Sequence, residues 1–173
     1  AVVEWIEFEA PLAEVWPPEH HTQILFESPL RESDPQAYVR AVLQRFMARA
    51  YRRPATDEEI DRFVKVYEFV APELGTLEAA MRETLAMVLV SPQFMYHTVA
   101  NDETSRQYEL ASKLSYFLWG SMPDAELLRL AEEEKLADGE VIAQQVRRLL
   151  KDSRSGDFVR NFTWQWLSLS KLK

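Results

Sequence analysis

Cysteine is absent from the 173 residues. That excludes disulfides, thiol chemistry, cysteine-ligated zinc and covalent attachment of a c-type haem within this chain, and it says nothing about redox compartment. Glycine is nearly absent too, with four in all. Phosphate-cradling loops and tight hairpins consume glycine, so neither is expected and long helices become the favoured reading. No window approaches the ~18 apolar residues that span a bilayer. The most apolar run, Leu85-Ala86-Met87-Val88-Leu89-Val90, reads as the centre of a buried helix. Only three histidines occur, and His20, His21 and His97 form no HExxH, HxH or HxxxH spacing. A histidine-built metal site is therefore not expected. GxSxG, P-loop, GxGxxG and calcium-loop patterns are missing as well. No catalytic, cofactor-binding or metal-ligating residue is assigned.

What is present is unevenly spread. The net charge of −8 sits almost wholly in residues 1–34, where eight acids face Arg31 alone, while the other 139 residues are nearly neutral. Four of the nine prolines (Pro11, Pro17, Pro18 and Pro29) fall in the same stretch. Composition thus divides an acidic, proline-broken arm, 1–34, from a helical body. Within the arm, Val2–Glu9 partly alternates and predicts a strand, ended by Pro11. A lone strand is unstable, so it belongs to a sheet of a preceding domain or lies along the body. Trp16-Pro17-Pro18 forces an extended path. The chain opens at Ala1 in mid-pattern and closes at Lys173 with no glycine stop, which predicts a fragment of a longer protein.

The body reads as an all-α, bundle-like run of about seven helices. Asp34 caps the first, with Pro35 at its first position, and it runs to about Tyr51. Thr56-Asp57-Glu58-Glu59 is a capping box, followed by Ile60, Phe63, Val64, Tyr67 and Val70 at helical spacing. Thr76 opens a third helix that stops before Ser91-Pro92. A fourth carries Leu110 to Leu118 and meets Gly120 as a left-handed stop. Asp124 and Asp138 cap the fifth and sixth, and Phe158, Phe162, Trp166 and Leu169 mark the seventh. Local signals agree from helix to helix, which is how foldable sequences behave.

Among candidate groups, the carboxylate clusters Asp57-Glu58-Glu59 and Glu132-Glu133-Glu134 fit helix first turns and surfaces better than a glycosidase pair. Arg45, Arg49, Arg52 and Arg53 stand at i, i+4, i+7 and i+8, a cationic stripe on one side of the first helix and its end. An anion or nucleic-acid site is one reading of it, but the acidic total opposes attraction of a polyanion; cations near a helix C-terminus are also the expected dipole complement. The expectation is that the acidic arm lies partly against this stripe. Trp5, Trp119 and Trp166 fit core positions. Trp164, two residues from Trp166, turns to the far side near Arg160; burial, a domain contact and sugar stacking are its readings, in that order. Trp164, Arg160, Arg45, Arg49, Arg52 and Arg53 make up the candidate interaction surface.

Two longer motifs carry a resemblance. Tyr51-Arg52-Arg53-Pro54-Ala55-Thr56-Asp57-Glu58-Glu59, followed by Leu89-Val90-Ser91-Pro92-Gln93-Phe94, resembles one domain of unknown function found in large planctomycete-type proteins. The segment Tyr108-Glu109-Leu110-Ala111-Ser112-Lys113-Leu114-Ser115-Tyr116-Phe117-Leu118-Trp119-Gly120-Ser121-Met122-Pro123-Asp124 resembles the domain that follows it, and Phe162-Thr163-Trp164-Gln165-Trp166-Leu167 belongs to the same pattern. The resemblance implies two helical modules, 35–100 and 101–173, the second truncated at its C-terminus and packed with the first as one unit. It implies an exported, periplasmic or cell-surface multi-domain parent, with c-type cytochrome modules beside these and a carbohydrate-binding-like β-domain upstream. Val2–Glu9 is similar to the exit from such a β-domain. The family's haem-attachment cysteines lie in other modules, so no haem residue carries over. The expected partners are other domains of the parent polypeptide, with carbohydrate as a further candidate. The expected role is a non-catalytic scaffold of a redox-type protein; the alternative is a fragment of an enzyme, for instance one processing polysaccharide, whose site other domains complete.

Overall fold

The computed structural model describes residues 17–96 and 103–167. Ten α-helices and one 3-10 turn occupy them, with no strand among the described residues. Seven are the helices that the apolar spacing predicts. They are α3 (Pro35–Ala50), α4 (Asp57–Leu74), α5 (Leu77–Leu89), α7 (Glu103–Trp119), α8 (Ala125–Glu132), α9 (Gly139–Lys151) and α10 (Ser155–Trp166). The three extra ones are single turns or little more: α1 (Glu19–Ile24), α2 (Leu30–Ser33) and α6 (Pro92–Met95). The strand expected at Val2–Glu9 lies outside the described residues.

Helix starts follow side-chain chemistry. Asp34 accepts from the Ala37 N–H and Pro35 takes the first helical position of α3. At Thr56 both halves of the capping box form: its hydroxyl accepts from Glu59 N, and Glu59 accepts from Thr56 N at 2.9 Å. Thr76, Asp124 and Asp138 cap α5, α8 and α9 in the same manner. Gly75 and Gly120 end α4 and α7 at φ +70° and +63°, where a Cβ would be strained.

Packing falls into two bodies. In the first, Tyr38, Val39, Val42, Leu43 and Met47 of α3 meet Ile60 and Phe63 of α4 and Met81, Leu85 and Val88 of α5. Leu25 joins this core and Phe26 packs on it, so the arm from Leu25 to Asp34 lies against the body. The Tyr38 hydroxyl fixes that arrangement by donating to the Phe26 carbonyl at 3.0 Å. In the second body, Tyr108, Ala111, Leu118 and Trp119 of α7 enclose Leu127, Leu130 and Ala131 of α8, Leu136 of the 3-10 turn and Leu149 of α9. Gln107 is fully buried there, and its side-chain oxygen accepts from Leu136 N at 2.8 Å. No buried side-chain nitrogen or oxygen among the described residues lacks a partner. No helix among them is long and apolar enough to cross a membrane.

Candidate functional site

The arginine stripe splits where its helix ends. Arg45 and Arg49 lie within α3, whose last residue is Ala50. Arg52 follows at φ +60°, a left-handed conformation that redirects the chain. Arg53 therefore leaves the stripe and forms a two-pronged pair with Glu59 at 2.7 and 2.9 Å. That pair holds the Glu59 carboxyl below its ordinary range: the Arg53 hydrogen bonds lower it first, partial burial works against them, and the Thr56 N–H adds to the lowering. Arg52 is buried, and its Nη2 donates to the carbonyls of Gln93 and Phe94 at 3.3 and 3.2 Å. Its guanidinium also lies 5.9 Å from the Tyr116 ring centre on α7.

Arg45, Arg49 and Arg52 line one cavity of about 360 Å³. His20 and Ile24 of α1 supply another wall, and Tyr116 and Met122 line it from the second body. The expected contact between the arm's acids and this stripe is not seen among the described residues. The ring of Phe26, not a carboxylate, sits 5.2 Å from the Arg45 guanidinium. Arg31, the arm's lone base, pairs instead with Glu78. Arm residues Glu4, Glu7, Glu9 and Glu14 lie outside the described residues.

A second feature runs along α10. Phe117, Phe158, Phe162 and Trp166 form a row of rings with centres 4.9, 5.4 and 6.0 Å apart in succession. Phe158 is anchored on the second core, but Trp166 is 73% exposed and Phe162 is 49% exposed. Trp166 therefore does not occupy the core position that its spacing suggests. Trp164 is 53% exposed, which overturns burial as its first reading. Arg160 is exposed on the same helix. Spacing identified the apolar edge of α10 correctly; what it lacked was any sign of whether another layer covers it.

Trp119 is a core residue, as expected, and its surroundings were not visible in the sequence. Its indole N–H donates to the Leu149 carbonyl at 2.9 Å, and the Arg154 guanidinium lies 3.4 Å from its ring centre. Arg148 stands on the same ring at 5.7 Å and makes a two-pronged pair with Asp124 at 2.6 and 3.1 Å. Partial burial pushes the Asp124 carboxyl up, but the Arg148 pair and the Leu127 N–H outweigh it and leave it below its ordinary value. Asp152, bonded to Arg154, is lowered to about 2.

Of the clustered acids, Asp57, Glu59 and Glu133 are engaged in ion pairs. Asp57 and Asp61 hold Arg40, and Glu133 holds Arg129 and Lys135. Glu134 accepts from the Thr104 hydroxyl at 2.8 Å. Where a carboxyl shift is resolved, at Glu59, Glu78, Asp124, Glu126, Glu133 and Asp152, it is downward. A general acid near neutrality needs the opposite shift. No group of three or more metal-ligating side chains gathers among the described residues. His97 lies outside them.

Comparison with known families gives two matches. Residues 38–98 match the family described as "PSD5: Protein of unknown function (DUF1595)". Residues 106–173 match "PSD4: Protein of unknown function (DUF1592)". The chain thus carries two domains of unknown function in tandem. No curated protein and no solved structure matches it.

Proposed function

We propose that this chain is a non-catalytic helical scaffold within a larger, exported, redox-type protein, seating a neighbouring domain of the same polypeptide on the aromatic row of α10. The row carries the reading. Phe162 and Trp166 expose ring surface side by side, and Trp164 and Leu167 are each about half exposed on the same segment. Contiguous exposed aromatic surface of this kind marks contact sites more often than idle surface. The planctomycete-type resemblance of both motifs supports export and c-type cytochrome modules as the neighbours. The test is amide hydrogen exchange of 155–166 in this chain and in the complete parent protein. Slower exchange in the parent is expected; equal rates refute docking on α10. Visible absorption spectra of the oxidised and reduced parent check the redox part, which fails if haem bands are absent.

Trp164 and Trp166 also favour a second reading, in which the parent processes polysaccharide and this chain holds part of the substrate. Exposed indole faces stack on sugar rings. Sedimentation with insoluble polysaccharide, abolished by Trp164→Ala, is the outcome that would favour this reading over the scaffold.

A further inference from the structure

We propose that the cavity between α1, the end of α3 and the start of the second body binds a small organic anion: a carboxylate or phosphate head on a ring-sized apolar body. The first support is gathered positive charge. Among the described residues, Arg45, Arg49 and Arg52 all line the cavity, His20 joins them, and no carboxylate does. Among the described residues, neither Arg45 nor Arg49 forms an ion pair with a carboxylate. Arg31, Arg40, Arg53, Arg148 and Arg154 each hold one. In a chain of net charge −8, three guanidinium groups gathered around one hollow with no described carboxylate in its lining form a local exception.

Arg52 adds a fixed charge at the cavity wall. It is buried, its backbone is held at φ +60°, and the Gln93 and Phe94 carbonyls lock its guanidinium in place. A side chain immobilised in advance loses little further freedom when it meets a ligand. Backbone strain of this sort recurs where a group must be aimed. Arg49 and Arg45 then act as the adaptable pair, able to close on the head with charge-assisted hydrogen bonds.

The remaining wall defines the rest of the ligand. Phe46, Leu89, Phe94 and Met122 are apolar, and Tyr116 presents a ring. An inorganic anion would leave that surface unused. A volume of about 360 Å³ lies at the small end of ligand pockets, enough for one or two fused rings and their substituent. Nucleic acid is excluded on both counts: the hollow is too small for a polymer, and the net charge repels a polyanion. Because the lining comes from both bodies, a bound anion would also bridge them.

Titration calorimetry of the whole chain tests this with 1-naphthoate, 1-naphthyl phosphate, their neutral counterpart 1-naphthamide, and inorganic phosphate. At least one naphthyl anion should bind tenfold or more tighter than both the amide and inorganic phosphate. Arg49→Gln and Arg45→Gln, at exposed positions, should each weaken it about tenfold, as expected for one charge-assisted hydrogen bond. Arg147→Gln, an exposed arginine on α9 away from the cavity, should leave the affinity unchanged. The proposal is overturned if neither anion binds, or if the amide or inorganic phosphate binds as well as the naphthyl anions. Equal losses in the Arg147 and Arg49 variants would also overturn it, as would native affinity in both the Arg45 and Arg49 variants. The ligand comparison uses the unaltered protein, so it stands whatever the variants do to folding.

Discussion

At Arg52 the backbone sits in the left-handed region, where a Cβ crowds the next carbonyl at a cost of roughly 1–2 kcal/mol. The side chain offsets this by bonding the carbonyls of Gln93 and Phe94, which ties the end of α3 to α6. Two substitutions separate the terms. Arg52→Ala keeps the strain and loses both bonds, so it should destabilise by about 2 kcal/mol. Arg52→Gly loses the same bonds but relieves the strain, and it should cost about 0.5–1 kcal/mol less than Ala even after glycine's extra unfolded-state entropy. Urea unfolding of both variants is the check. Glycine no better than alanine would mean that the positive φ stores no energy there. The same residue shows a limit of sequence reading. Spacing put Arg53 in the stripe because a helical period was carried past Ala50, and the turn at Arg52 ended that period.

Among the elements, α8 draws both its cap and a tie to α9 from a single side chain. Asp124 caps it through Leu127 N and is clamped from α9 by Arg148. The carboxyl is depressed below its unfolded value of about 3.9. Its ion pair therefore adds stability above that pH, and the contribution is lost as pH falls through the lower folded-state value. Asparagine caps as well as aspartate, so Asp124→Asn isolates the pair from the cap. It should cost about 1 kcal/mol at pH 7. The gap in melting temperature between native and variant should close as the pH drops below 3.9. A gap that stays constant with pH would show that the Arg148 contact adds nothing. Asp152, lowered to about 2, is present in both proteins, so it cancels from the difference to first order. The caps were legible in the sequence because they are local: Asp34, Thr56, Thr76, Asp124 and Asp138 each bond within three residues of themselves. The Arg148 clamp and the Arg154 stack on Trp119 join residues 24 and 35 positions apart, which no periodicity encodes. Spacing likewise marked the rings of α10 as one face but carried no information on what covers that face.

For the molecule as a whole, the two cores raise the question of how many units unfold together. The buried side chains from Leu25 to Val88 form one cluster and those from Tyr108 to Leu149 another. The extensive helix pairings stay within each group: α3, α4 and α5 pack on one another, and α7 packs on α8, α9 and α10. Between the groups lies the cavity, where Arg52 approaches Tyr116. A hollow whose apolar wall stays unfilled and whose rim carries arginines joins two bodies less firmly than closely packed apolar burial would. Two cooperative units are therefore expected. Leu43→Ala and Leu127→Ala each remove a fully buried side chain, one from each core, at a cost of about 2–5 kcal/mol. Native-state hydrogen exchange should show Leu43→Ala speeding amides of α3, α4 and α5 while those of α7, α8 and α9 hold their rates. Leu127→Ala should do the reverse. If either substitution speeds exchange equally in both groups, the bodies unfold as one, and the cavity walls hold them together more strongly than their chemistry suggests.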